Sequence, residues 1–337
     1  MKKKIVIFRN GSYGDAIVAL PVLKLIAKFN KDKEIYYTTI LNKETNFFHP
    51  KQLFSKFGLN FKYQIYYKKK NYIFDFILFF LKNKFNELFY LKEEPTNIIP
   101  KILNVKNTFF NIFFEYIFFK CLLVKNINGL NKKSFKKDNN GIYIKETINL
   151  INRFYTKKIN ENNLIKNLYI KNNKTKNEVV ICMGGKFKIK DWGFKNWVEL
   201  LTLINNHEKR IKFILIGGGE SDRRKYVEIK KIFRSQCKIF IDKPINKLID
   251  KIKHCKLYIG HDTANMHLAS ILGIKTISIF SSREHKGIWF PIGNNNINFY
   301  KKISCSNCKL TDFCPYEQKC IMSFLPINVF NRIKEFI

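Results

Sequence analysis

Residues 256–280 read KLYIGHDTANMHLASILGIKTISIF. The run Lys256–Ile259 is short, mostly apolar and ends at Gly260, while Thr276–Phe280 is a continuous apolar strand of the kind buried on both faces. Between them, Met266, Leu268, Ala269, Ile271 and Leu272 mark a short helix. Asp262 and Thr263 stand where an N-cap stands, and Gly273 closes the helix. The stretch is therefore one βαβ unit, with its polar residues in the first loop. A helix opening at the carboxyl end of a parallel strand offers N–H groups and a positive dipole end, which suits an anionic ligand. A plainer reading makes Asp262 a helix cap and His267 a packed core histidine. The stretch by itself leaves the two level.

Outward from this unit the second half of the chain keeps the same rhythm. Val179–Met183, Phe213–Ile216, Ile239–Ile241, Leu257–Ile259 and Thr276–Phe280 are short buried strands, with helical patterns around 196–206, 223–233, 245–252 and 265–272. This alternation predicts a doubly wound parallel sheet. The loops after its strands converge on one edge. They carry Gly184 to Trp192 with Lys186, Lys188 and Lys190, the glycine turn Gly217–Gly219 with Glu220, and Ser281, Arg283, His285 and Trp289.

A second α/β pattern opens the chain. Ile5–Phe8 is a buried-type strand, the loop Arg9 to Asp15 contains Gly11 and Gly14, and an apolar helix follows in which Pro21 predicts a kink or restart. Asp15 falls at the mouth of this unit, where open α/β sheets bind ligands, and a capping role for it is compatible with a catalytic one. As a dinucleotide fingerprint the loop is poor, because the spacing is G-x-x-G and no acidic residue ends the next strand, Glu34–Leu41. Residues 42–150, rich in Phe, Lys and Asn, predict two or more helices and at least one strand. Glu93-Glu94-Pro95 and 136–141 read as surface turns, and the polar stretch 156–178 as the connection between domains.

A length of 337 residues fits two α/β domains rather than one. The formal charge of +36 accompanies an excess of Asn, Ile and Phe, the signature of compositional bias, and the basic residues are spread along the chain. Neither a basic cluster with aromatic partners nor a known module points to nucleic acid. The apolar run after Met1–Lys4 is too short for a secretory signal, and no stretch supplies the ~20 apolar residues of a spanning helix. Tyr72–Leu91 and Phe109–Val124 come nearest, each broken by charges, and read as core helices with a charged edge, with a helix lying on a membrane surface as the second reading. The expected location is the cytosol, with peripheral contact at an anionic inner membrane face.

Eight cysteines are present. Cys121, Cys182, Cys237 and Cys255 are scattered and read as small buried hydrophobes. Cys305, Cys308, Cys314 and Cys320 form C-x2-C-x5-C-x5-C, and thiols so closely spaced point to zinc. Disulfides are not expected in a reducing cytosol.

Four blocks together resemble the bacterial glycosyltransferases of family 9, the lipopolysaccharide heptosyltransferase group, from end to end. They are RNGSYGDAIVALPVLKLI (9–26), KDWGFKNW (190–197) with Gly193 in place of the family's proline, GHDTANMHLASILG (260–273), and CSNCKLTDFCPYEQKCIMSFLPINVF (305–330). The resemblance implies a GT-B fold of two Rossmann-like, doubly wound domains facing a cleft. On that division residues 1–165 bind the acceptor, 166–325 bind the nucleotide sugar, and a helix in 326–337 returns toward the first domain. It implies inverting transfer of a sugar, typically heptose from ADP-heptose, onto a lipid-linked saccharide of the lipopolysaccharide core type. Carried onto this sequence, Asp15 is the general base beside Gly14, and Lys190 neutralises the leaving diphosphate. Asp262 holds sugar hydroxyls, Thr263 and Ala264 meet the phosphates, Glu220 lies near the nucleotide, and His267 binds or buttresses the site. Ala264 replaces the family's common glycine, harmlessly if that residue is already helical. The family's mechanism calls for no metal, which leaves zinc at the four tail cysteines a structural role only. The chemistry agrees: displacing a nucleoside diphosphate needs positive electrostatics at the leaving group and a carboxylate for the incoming hydroxyl. The chain has no D-x-D pair. The competing classes are another GT-B-like enzyme such as a sugar-nucleotide epimerase, against which the first and last blocks argue, and a basic nucleic-acid-binding protein.

Overall fold

The structure, a computed structural model, describes residues 2–9, 13–41, 49–67, 72–91, 126–129, 151, 155 and 175–337. Among these, the residues up to Tyr155 form one compact unit and those from 175 onward a second. The expected boundary at 165/166, the expected turns at 93–95 and 136–141, the apolar run 109–124 and most of the connection at 156–178 lie outside the described residues.

The first unit is a parallel sheet flanked by helices. Its elements are β1 (Lys4–Phe8), α1 (Tyr13–Phe29), β2 (Glu34–Leu41), α2 (Pro50–Lys56), β3 (Lys62–Tyr67), α3 (Tyr72–Asn83), β4 (Glu87–Tyr90) and β5 (Asn126–Gly129). The strand order is β3-β2-β1-β4-β5, every pair parallel. Pro21 lies inside α1 without ending it. The stretch Tyr72–Leu91, expected as a helix, is a helix and then a strand. Lys84 takes a positive φ of 49°, which ends α3 and lets the chain turn into β4. Both halves feed one aromatic core in which Phe76, Phe80, Phe85 and Leu88 pack against Val6 and Phe8. The opposite face of α3 leaves Phe74, Leu78 and Leu81 exposed.

The second unit contains β6 (Glu178–Cys182), α4 (Phe194–His207), β7 (Lys212–Gly217), α5 (Glu220–Phe233), β8 (Cys237–Ile241), α6 (Ile245–Ile252), β9 (Leu257–His261), α7 (Ala264–Ile271), β10 (Thr276–Ile279), β11 (Asn296–Phe299), α8 (Lys319–Met322) and α9 (Pro326–Ile333). The sheet order is β11-β10-β9-β6-β7-β8, again wholly parallel. The expected strands and helices appear within a few residues of their predicted bounds. The additions are β11, whose sequence NINF is too polar and too short to stand out, and the four-residue helix α8. Val179, Ile181, Phe213, Leu215, Leu257, Ile259, Ile277 and Ile279 are fully buried, as strands covered on both faces must be. The last helix, α9, sets Val329 and Ile333 into this same core beside Trp197 and Leu201 of α4. No helix among the described residues is long and apolar enough to cross a membrane.

In both sheets the strand order reverses beside the first strand, between β1 and β4 in one unit and β6 and β9 in the other. Such switch points open a crevice at the carboxyl ends of the strands, the habitual ligand position in open α/β sheets. All three tryptophans, Trp192, Trp197 and Trp289, belong to the second unit, so tryptophan fluorescence reports its unfolding alone. Ile333→Ala, which empties a fully buried position, should destabilise that unit by about 2–5 kcal/mol. Denaturant unfolding followed by fluorescence measures it, and an unchanged midpoint would show that α9 is not part of that core.

Candidate functional site

The loop after β6 runs from Met183 to a short 3-10 turn, Lys188–Lys190. The loop after β9 is just Asp262 and Thr263. At the switch point the two meet: Lys190 Nζ lies 2.5 Å from Asp262 Oδ2 and donates to its backbone carbonyl at 3.3 Å, with both side chains about nine-tenths buried. Taking both charges out of water costs several kcal/mol per ion, repaid only by close, well-bonded geometry.

Asp262 is thus drawn to Lys190, and Thr263 is the N-cap residue of α7, with φ −140° and ψ 167°. Its hydroxyl makes no capping bond. It turns back to Tyr258 Oη at 3.4 Å and Cys182 Sγ at 3.9 Å. The first-turn N–H groups of α7 therefore face the switch point without a side-chain cap. Ala264 is the first helical residue and is absent from the positive-φ positions, so its replacement of glycine costs nothing. His267 is buried, its ring edge-on to Trp289 at 6.4 Å. Glu220 opens α5 with its side chain largely exposed, pairing with Arg224 at 3.3 Å and Arg223 at 3.9 Å on its own helix.

Two residues that the sequence reading passed over support this arrangement. Asp222, in the first turn of α5, accepts from Gly218 N at 3.0 Å, and burial raises its pKa. A Cβ on Gly184 or Gly217 would run into its carboxylate, so a side chain at either position would displace Asp222. His261, the residue before Asp262, is 1% exposed and accepts at Nε2 from Trp192 N at 3.2 Å. That bond ties the backbone just after Lys190 to the strand that carries Asp262. Between them Asp191 pairs with Lys225 of α5 and accepts from Gly193 N at 3.0 Å. Burial alone would raise the Asp191 pKa, and the Lys225 and Gly193 donors outweigh it and lower it. Gly193 has φ 88°, a value closed to proline, so the loop departs locally from the proline of the family pattern.

In the first unit Asp15 occupies the first turn of α1, directly after Gly14. Arg9, 3% exposed, donates from Nη2 to Asp15 Oδ1 at 2.6 Å and from Nη1 to Leu91 O at 2.6 Å. The carboxylate is therefore oriented by a buried guanidinium that bridges the ends of β1 and β4, with 29% of its side chain exposed. The sequence placed Arg9 in a motif but gave it no role.

The tail cysteines, expected as a structural zinc site, are not brought together in this structure. Among the described residues no three His, Cys, Asp or Glu side chains gather closely enough to hold a metal ion. Cys320 is turned inward, its sulfur accepting from Ser282 N at 3.4 Å, while Cys305, Cys308 and Cys314 are half-buried. The thiol spacing matches a metal motif, but the fold spends it on packing a turn-rich tail.

A family model described as glycosyltransferase family 9 (heptosyltransferase) matches residues 136–318, more than half of the chain. The chain belongs to glycosyltransferase family 9. Two lipooligosaccharide heptosyltransferases 2 from Campylobacter jejuni are 26% identical over 137 residues and 25% identical over 139. Each alignment covers 39% of this chain, and 42% and 43% of the respective relatives, so the match spans less than half of their length. Among solved structures, Escherichia coli heptosyltransferase WaaC with ADP superposes with a TM-score of 0.67 at 10% identity, covering 99% of this chain and 100% of that one. A family 9 glycosyltransferase of Veillonella parvula gives 0.69 at 13% identity, covering 99% and 97%. These likenesses show the shared fold, and the expected GT-B class of two Rossmann-like units holds.

Burial, the largest influence, pushes the His261 pKa down from 6.5 to about 4. Between those values the unfolded chain binds the extra proton and the folded one does not. Stability should therefore fall as pH drops from about 6.5 toward 4, by up to ~1.4 kcal/mol per pH unit. His261→Gln, which keeps an acceptor for Trp192 N without titrating, should flatten that slope. Equal slopes in urea titrations of the two proteins would assign the pH dependence elsewhere.

Proposed function

We propose that this family 9 member is an inverting glycosyltransferase that moves a sugar, heptose from ADP-heptose, onto a lipid-linked saccharide acceptor of the lipopolysaccharide-core type. The observation that carries the reading is the Lys190–Asp262 pair beside the uncapped α7 N-terminus at the switch point of the second unit. It supplies what a departing nucleoside diphosphate requires, a fixed cation and free N–H donors, together with a carboxylate able to hold sugar hydroxyls.

In this reaction the acceptor oxygen attacks the anomeric carbon from the face opposite the nucleotide, so one displacement inverts configuration. The new carbon–oxygen bond forms as the bond to the β-phosphate oxygen breaks, and the electron pair leaves with ADP. Asp15, oriented by Arg9, takes the acceptor's hydroxyl proton. Lys190 and the N–H groups of Thr263, Ala264 and the first turn of α7 meet the charge that gathers on the diphosphate. Asp262 is then released from part of its bond to Lys190 and aligns the sugar. Gly14 gives room beside the base, His267 buttresses α7 through Trp289, and Glu220 serves the nucleotide from the first turn of α5. Charge supply from a lysine and a helix end fits a chemistry in which no metal is required for catalysis.

The protein works in the cytoplasm and meets its acceptor at the inner face of the inner membrane. Supporting this placement, the exposed row Phe74, Leu78 and Leu81 on α3 lies beside exposed Lys82 and Lys84 on a chain of net charge +36. Flotation with anionic vesicles should carry the wild type, and Phe74→Asp combined with Leu78→Asp should weaken it. Equal flotation of the two would exclude this helix as the contact.

Purified protein should be stabilised against heat by ADP and ADP-heptose, and Lys190→Ala or Asp262→Ala should abolish the shift. Asp15→Asn should keep the nucleotide shift and lose transfer by about a hundredfold to ten-thousandfold. A shift with UDP- or GDP-sugars alone would change the donor, and retained turnover by Asp15→Asn would remove the base assignment.

A further inference from the structure

The cysteine-rich tail makes specific contacts beside the candidate site. Residues 303–324 touch the loop after β6 and the loop after β10 at several places. Ile189 N donates to Thr311 O at 3.1 Å, one residue before Lys190, and Trp192 Nε1 donates to Phe324 O at 2.8 Å. On the other side, Asn307 N donates to Ser282 O at 2.7 Å and Lys309 N to Arg283 O at 3.2 Å. Asn307 and Lys309 both hold left-handed conformations, φ 70° and 60°, which turn successive groups of the tail toward Arg283.

Arg283 is 8% exposed. Its guanidinium donates to Leu310 O at 2.8 Å, to Lys309 O at 3.0 Å and to Glu284 Oε1 at 2.5 Å. It also lies over the Phe187 ring, 4.5 Å from its centre. The same ring has Lys190 Nζ at 5.5 Å and Lys186 Nζ at 5.4 Å. Phe187 immediately precedes the 3-10 turn, and its carbonyl accepts from Lys190 N at 3.1 Å. A planar, multiply bonded guanidinium can hold an aromatic face in a way that an ammonium cannot, and an aromatic face attracts a neighbouring ammonium.

We propose that Arg283 and Phe187 are positioning residues for the transfer: the tail fixes the buried guanidinium, the guanidinium fixes the ring, and the ring holds the Lys190 ammonium where the leaving diphosphate collects charge. The proposal rests on the role of Lys190 given above. Neither residue touches the reacting atoms, and both act through Lys190. The tail is then a brace for the donor loop, which explains why so turn-rich a segment is fastened to both loops at once.

The test is binding of ADP and of inorganic pyrophosphate, by calorimetry, to the wild type, Phe187→Leu, Phe187→Tyr, Arg283→Met and the Phe187→Leu/Arg283→Met double variant, each with its melting temperature. Phe187→Leu should weaken both ligands about three- to thirtyfold, the range of a partly desolvated cation–π contact. Phe187→Tyr should restore binding to within about twofold. The double variant should be no weaker than the weaker-binding single variant, because both changes act through one ring. Wild-type affinity in Phe187→Leu, a loss confined to ADP, or multiplying effects in the double variant would each overturn the proposal. A loss confined to ADP would mark the ring as a partner of the base. If Arg283→Met fails to fold, the leucine and tyrosine variants decide by themselves. Failure of the wild type to bind either ligand would instead overturn the donor-site reading on which the proposal stands.

Discussion

The second unit is organised around a buried ion pair at the place where its sheet changes direction. Lys190 and Asp262 come from loops that are 72 residues apart in sequence, and only the reversal of strand order between β6 and β9 brings them together. An ion pair so far removed from water is a poor device for stability, because solvation lost is scarcely recovered by attraction. It suits the function proposed, in which the lysine meets the leaving diphosphate and the aspartate accepts hydrogen bonds from sugar hydroxyls.

Bonds around the pair tie the loop after β6 to its neighbours. His261 takes the Trp192 amide, Tyr226 bridges Ile216 O at 2.7 Å and Met183 N at 3.1 Å, and Asp191 is tied to α5 through Lys225. The glycines at 184 and 217 are explained by the Asp222 carboxylate that fills the space a side chain would need. The first unit repeats the idea with different groups: Arg9 joins the ends of the two strands at its own switch point and aims Asp15. In both units a buried cation is held by main-chain oxygen as well as by a carboxylate. The orientation of the functional group is therefore set by the backbone rather than by a flexible partner.

The tail shows how a familiar spacing can be put to another use. C-x2-C-x5-C-x5-C is compatible with tetrahedral thiolate ligation, yet spacing fixes only how far apart the sulfurs are along the chain. Here residues in left-handed conformation at 307, 309, 317 and 318 turn the segment repeatedly. Cys320 points into the core, and the carbonyls between the cysteines are spent on Arg283. The segment works as a strap for the loops above it.

The sequence by itself determined the class of fold and which loops carry the candidate site. Apolar runs of strand length alternating with 3.6-residue periodicity dictate parallel βαβ units, and loops after such strands must share an edge. Asp15, Lys190 and Asp262 were accordingly legible as polar residues at that edge, and the helix beginning at Ala264 was legible from its apolar stripe. Only the tertiary structure decided which of these residues meet, because meeting depends on strand order, and nothing in a local pattern encodes that β9 lies beside β6. It also decided that Tyr72–Leu91 breaks into helix and strand at a left-handed Lys84, that Thr263 rather than Asp262 occupies the N-cap position, and that the tail thiols do not converge. His261, Asp222, Arg9 and Arg283 were hidden for the same reason. Each matters through a long-range bond to main chain or a close approach to a glycine, and such partners carry no signature in the residues beside them.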